Sequence, residues 1–218
     1  MPLAFPSHQG LIAPLWRRWP RVFEVSALCV GAAMPDVIDG FVGAYRGYLG
    51  QGVGHSLAGL VLLCMPGGML LWWMLGRLAR RLPAQAHPGL LWRAWGAGVH
   101  AMRIAPLRDM TRSSWARRLG SLFIGACSHL VIDAVSHGDC SLLYPWRPDI
   151  HIFPEWWNVA WIRLPLPGYR KPYPIGPHFL VWAFLSVYGA WLLVKPLLHR
   201  PAGSRKGTDT SGQRLDAP

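Results

Sequence analysis

The sequence predicts an all-α membrane protein of about four transmembrane helices, the first either a full span or a half-span, with one interfacial amphipathic helix. Three observations lead there: long apolar segments with few charges, one-sided placement of the basic residues, and 13 Trp in 218 residues. Between Glu24 and Arg46 the charges are Asp36 and Asp39. From Ser56 to Gly76 there are none, from Leu119 to Ser136 there is Asp133, and from Phe179 to Val194 again none. A bilayer core takes roughly 20 apolar residues to cross. The second segment qualifies outright, the third and fourth are short but adequate, and the first, interrupted by Asp36 and Asp39, is the weakest of the four. A soluble bundle with long buried helices is the bland alternative, but uncharged runs of this length and abundant Trp suit lipid better.

Charge placement gives the same answer independently. Of the 22 Lys and Arg, those in the connections after the first and third segments are Arg46, Arg147, Arg163, Arg170 and Lys171. The rest flank the opposite ends. Basic loops stay in the cytoplasm, so a multi-pass protein with both termini cytoplasmic is expected. The net charge of +12 would also suit nucleic acid. However, the basic residues follow the topology, no nucleic-acid motif accompanies them, and anionic membrane lipid is the better partner.

The elements follow in order. Ser7 is a plausible N-cap for a short apolar helix ending at Trp16-Arg17-Arg18. Arg17, Arg18 and Arg21 before Val22 to Ala33 suggest a signal peptide, yet Glu24 interrupts the apolar region, and the segment is read as retained. Cys29, Cys64 and Cys127 fall in apolar spans and Cys140 has no obvious mate, so no disulfide framework is implied. In Leu90 to Ile104, Arg93, His100 and Arg103 share a face opposite Leu91, Trp95 and Met102, the pattern of an interfacial helix. The 138–177 connection holds eight prolines, which forbid long regular elements, and its Trp residues suit the headgroup level. Residues 1–200 read as one helical domain and 201–218 as a disordered tail. No internal repeat is apparent.

Ionisable groups inside apolar helices are costly and mark functional sites. His129, Asp133 and His137 recur every four residues and so line one stripe of a helix. Asp36 and Asp39 share a face if their stretch is helical, although Pro35 is expected to break or kink the helix before them. His55-Ser56 opens the second span and His178 the fourth. The topology gathers Asp36, Asp39, His55, Asp133, His137 and His178 at one end of the bundle, with His129 about two turns deeper than His137. Singly these are weak signals: a His and an Asp one turn apart usually form a hydrogen-bonded pair, and His-Ser or Asp36 can be caps. Together they offer imidazole and carboxylate ligands for a divalent ion, zinc foremost, with manganese or iron as alternatives.

Gly31-Ala-Ala-Met-Pro-Asp-Val-Ile-Asp39, Gly54-His55-Ser56 and Ser128-His129-Leu-Val-Ile-Asp133-Ala-Val-Ser136-His137-Gly138, running into Leu142-Leu-Tyr-Pro145, resemble the ordered blocks of the bacterial YdjM-like family. That family is described as membrane-bound, predicted metal-dependent hydrolases. Phe5-Pro-Ser-His8 and Pro177-His178 are more similar still to an uncharacterised sister group of bacterial membrane proteins of about this size. The resemblance spans roughly residues 3–195. It implies metal contacts from His8, Asp36, His55, His129 and Asp133. The Thr usual before His-Ser is Gly54 here, which removes a possible supporting donor, whereas Ser136 keeps the hydroxyl of a Thr in the third block. One tension follows: the four-span topology puts His8 on the side opposite the other ligands, unless its segment re-enters the membrane, packs as a half-helix, or is purely structural.

The expected function is a metal-dependent hydrolase at the external face of a bacterial inner membrane, acting on a lipid or lipid-linked ester. Asp39, His137 and His178 are the candidates for proton transfer. The alternatives are a small transporter or metal-handling protein using the same cluster, and a scaffold whose polar cluster is structural.

Overall fold

Small residues decide how the two central helices meet. In the computed structural model, which describes residues 4–46, 52–82, 89–104, 111–136, 142–146, 153–165, 167 and 172–198, α2 (Val25–Arg46) and α5 (Arg112–Ser136) run parallel. The Glu24 amide donates to Ser121 Oγ at 2.8 Å, and His129 Nδ1 lies 2.7 Å from the Ala32 carbonyl, both pairs 97 positions apart. A Cβ on Gly31 would enter the Leu122 backbone, and one on Gly125 the backbone of Leu28 and Ala32. Bare backbone at these two positions is what lets the helices touch.

The contacts are reciprocal, and so is the sequence beneath them. Leu28-x-x-Gly31-Ala32 followed by Val37-Ile38-Asp39 matches Leu122-x-x-Gly125-Ala126 followed by Val131-Ile132-Asp133. Around this pair lie two halves with the same order of helices. α1 (Ala4–Arg18), α2 and α3 (Leu57–Arg81) form the first. α4 (Leu90–Ile104), α5 and α6 (Pro177–Leu198) form the second. The first helix of each half packs on the last helix of the other, α1 on α6 and α4 on α3. The two crossing helices thus share a residue pattern that the sequence alone did not single out.

Helix directions place the site. α3 returns antiparallel to α2, since Trp72 Nε1 donates to Ser26 Oγ at 2.8 Å. α1 runs parallel to α6: Gly10 meets the Gly189 backbone, and Arg17 further on donates to the Leu192 carbonyl at 3.0 Å. Hence α2 and α5 finish at the end where α1, α3 and α6 begin. Arg17, Arg18, Arg80, Arg81, Arg117, Arg118 and Lys195 all belong to the other end. Four helices, α2, α3, α5 and α6, are long and apolar enough to cross a membrane.

Several expectations change. α1 begins at Ala4, before Ser7. Ala4 and Leu198 sit at opposite ends of the bundle, and His8 joins the other ligands because α1 descends from their end. α2 continues through Pro35, whose fully buried ring is accommodated without a break. In α4, Arg103 does not face water: it donates to the carbonyls of Ala79, at 2.8 Å, and Leu82, capping the end of α3. Met102 packs on the core, while Leu91 and Trp95 face outward. The proline-rich connection supplies a 3-10 turn, Glu155–Asn158, and an antiparallel pair, β1 (Ile162–Leu164) with β2 (Tyr173–Ile175). The 201–218 tail lies outside the described residues.

Candidate metal centre

The centre is built from the middle of α2, the last two turns of α5 and the turn that opens α3. Glycines bring that turn in: a Cβ on Gly54 would strike the Pro35 carbonyl and come within 3.0 Å of Asp39, and one on Gly59 would strike the Val53 carbonyl. A larger side chain at Gly54 would push the turn off α2. Ser56 then caps α3, accepting from the Gly59 amide at 2.9 Å and donating to the Val53 carbonyl at 2.7 Å. A π turn, Leu60–Cys64, follows at once, a local widening common beside functional sites.

Asp36, His55, His129 and Asp133 present four ligand atoms within 4.8 Å of one another. His55 Nε2 is 3.2 Å from His129 Nε2, 3.4 Å from Asp36 Oδ1 and 3.0 Å from Asp133 Oδ2. His129 Nε2 is 3.7 Å from Asp36 Oδ1 and 3.3 Å from Asp133 Oδ2. Ligands at about 2.0–2.1 Å around a tetrahedral zinc lie about 3.3–3.4 Å from each other, so the spacing suits a small divalent ion.

The ring tautomers sharpen this. The Ala32 carbonyl only accepts, so His129 Nδ1 carries a proton and, in the neutral ring, Nε2 offers a lone pair. Asp39 accepts from the amides of Gly52 at 2.6 Å and Gly54 at 2.7 Å, and its carboxylate lies 2.6 Å from His55 Nδ1. His55 Nδ1 therefore donates to Asp39, and in the neutral ring Nε2 also offers a lone pair. Four acceptors then face one another, and only a cation can reconcile them. Burial by itself would push the His55 imidazole down, but the carboxylates of Asp133, Asp36 and Asp39 override it and push it up to about 11. A proton on His55 is the minimal cation, and a divalent ion neutralises more of the charge. Access is from the Asp36 side: its side chain is 16 % exposed, against 2 % or less for the two imidazoles.

The remaining residues expected at the site are placed as follows. His8 Nε2 lies 3.6 Å from Asp133 Oδ1, the oxygen turned away from the cluster, and its ring stacks on His129 with centroids 4.1 Å apart. It thus borders the four-ligand set. Asp39 sits behind His55. His178 is buried at the start of α6, with Nδ1 3.2 Å from the Trp157 carbonyl, tying the 3-10 turn to the bundle. His137 lies outside the described residues. Tyr173 on β2 had no motif to reveal it; burial and then the charge of Asp133 raise its phenol above the ordinary range, which puts it in electrostatic reach of the centre.

The chain belongs to a family described as a domain of unknown function (DUF4184), whose model matches residues 1–147. No curated protein and no solved structure matches it.

Proposed function

We propose that this chain is a membrane-bound, metal-dependent hydrolase of a bacterial inner membrane, acting on a lipid or lipid-linked ester. The observation that carries the reading is the convergence of four fixed acceptors, Asp36, His55, His129 and Asp133, at one end of a bundle with spanning-length helices. The donor set of two imidazoles and two carboxylates favours zinc, with manganese or iron as alternatives. A divalent ion held there supplies Lewis acidity, polarising an acyl or phosphoryl oxygen and acidifying water.

The chain's own residues divide the rest. Asp39 orients His55 and keeps its proton on Nδ1, the support a metal-bound imidazole ordinarily has. His8 braces Asp133 and stacks on His129. Asp36, the most open member, borders the space a substrate enters. His137, four positions beyond Asp133, is the proposed proton acceptor, and Tyr173, kept protonated, the proposed donor. Exposed apolar side chains such as Phe41, Val61, Phe184 and Val187 suit acyl chains around the bundle, and its basic end suits the cytoplasmic face. Hydrolysis of phospholipid in mixed micelles, lost on chelation and regained on adding zinc, tests the reading; absence of turnover in metal-loaded protein contradicts it.

The matched pattern of α2 and α5 favours one second reading. Transporters place binding sites between repeated halves, and the centre lies across the α2–α5 crossing. Uptake of zinc or manganese into proteoliposomes, abolished by Asp133→Asn, would support transport over hydrolysis.

A further inference from the structure

α1 carries a polar side chain that the metal centre does not use. Gln9 is 2 % exposed, and among the described residues neither its amide nitrogen nor its amide oxygen has a hydrogen-bond partner. A buried amide in that state is destabilising, and proteins keep few of them. Its direction follows from its helix. His8 meets Asp133 and His129, Ile12 packs with Leu28 and Ala32, and Gly10 meets the Gly189 backbone. Pro14 and Arg18, on the opposite arc, are exposed. At about 100° per residue, Gln9 falls midway along the inward arc between His8 and Gly10. It therefore points into the bundle interior, one position after His8, the residue that borders the metal centre.

We propose that Gln9 is a specificity-determining residue that binds a hydroxyl next to the scissile ester, so that the substrate class is a polyol-headed lipid. This rests on the hydrolase reading above. A primary amide offers a donor and an acceptor on one rigid plane, and a hydroxyl is the small neutral group that answers both at once. An oxyanion would leave the amide oxygen unmet, and an ammonium would leave the nitrogen unmet. A site holding an unmet amide until substrate arrives also discriminates, because an analogue lacking the hydroxyl leaves those groups buried and unpaired.

The test uses the full-length, zinc-loaded protein in a detergent without hydroxyls. The probes are phosphatidylglycerol and phosphatidylmethanol, two anionic phosphodiester lipids that differ in headgroup hydroxyls. Binding is read by thermal shift, with metal content measured in parallel. Wild type should bind phosphatidylglycerol about ten-fold more tightly, a factor of the size two hydrogen bonds give. Gln9→Met should keep its metal, melt higher without lipid, and bind both lipids alike. Equal binding by wild type would mean that only a buried water meets the amide, and overturns the proposal. So does discrimination retained in Gln9→Met, or metal lost from it. If Gln9→Met fails to fold, Gln9→Asn, with the amide drawn back by one methylene, should lose the preference, and its retention overturns the proposal equally. Failure of the hydrolase reading would show separately, as wild type that prefers phosphatidylglycerol but cleaves neither lipid.

Discussion

The Asp39 carboxylate holds His55 Nδ1 at 2.6 Å while accepting the Gly52 and Gly54 amides, so one side chain fixes both a ligand's tautomer and the loop that carries it. Asp39→Asn keeps the shape but withdraws the charge. The expected result is metal affinity reduced about 10–100-fold in a protein that still folds, measured by competition with a chelator. Asp36→Ala removes a ligand and should cost more; equal affinity in Asp39→Asn and wild type would reject the supporting role.

Acid and base act oppositely on the empty and loaded protein. Without metal, the folded His55 imidazole is held up at about 11, above about 6.5 in an unfolded chain. Its contribution to stability is full below the unfolded value and is lost as pH rises through the folded one. Metal binding must expel that proton, so it strengthens as pH rises. The melting temperature of chelated protein should therefore fall between pH 7 and 10 while the metal-induced gain grows. Parallel slopes for the two forms would exclude the shared site.

The α2–α5 crossing is tested by glycines on one helix. Gly125→Ala sets a Cβ against the backbone of Leu28 and Ala32, whereas a Cβ on Gly120 meets nothing within 4 Å. Overpacking against backbone costs typically about 1–3 kcal/mol, while Gly→Ala in an open helical position gains up to about 1 kcal/mol. Gly125→Ala should melt lower than wild type and Gly120→Ala the same or higher.

Much of this site was legible because charge in an apolar helix has so few explanations. The four-residue spacing of His129 and Asp133 and the short strings around Asp36 and His55 were enough to bring those residues together. The division of labour was not legible. Asp36 and Asp39 lie one turn apart on α2 and meet opposite edges of the His55 ring, and which edge each takes depends on how closely Gly54 lets the turn approach. His8 looked misplaced because charge bias assigns loops to sides, while α1 is a short helix whose direction is set by Gly10 and Gly189. Gln9 and Tyr173 carry no spacing signal at all; burial beside the centre is their only mark.

The parallel run of α1 and α6 makes a topological prediction. A reporter fused before Ala4 and one inserted at Trp157 should respond from the same side of the membrane, and one fused beyond Lys195 from the other. The basic ends of α1, α3 and α6 place that last reporter in the cytoplasm. A reporter before Ala4 that agrees with the C-terminal one would detach α1 from the bundle.

Elemental analysis of the purified full-length protein tests the central claim most directly. Wild type should carry about one divalent ion per chain, as one closed set of N and O ligands requires, and His129→Ala with Asp133→Ala should carry none, with a lower melting temperature that chelator no longer changes. Wild type free of zinc, manganese and iron, or a double variant with the same metal content, would contradict it.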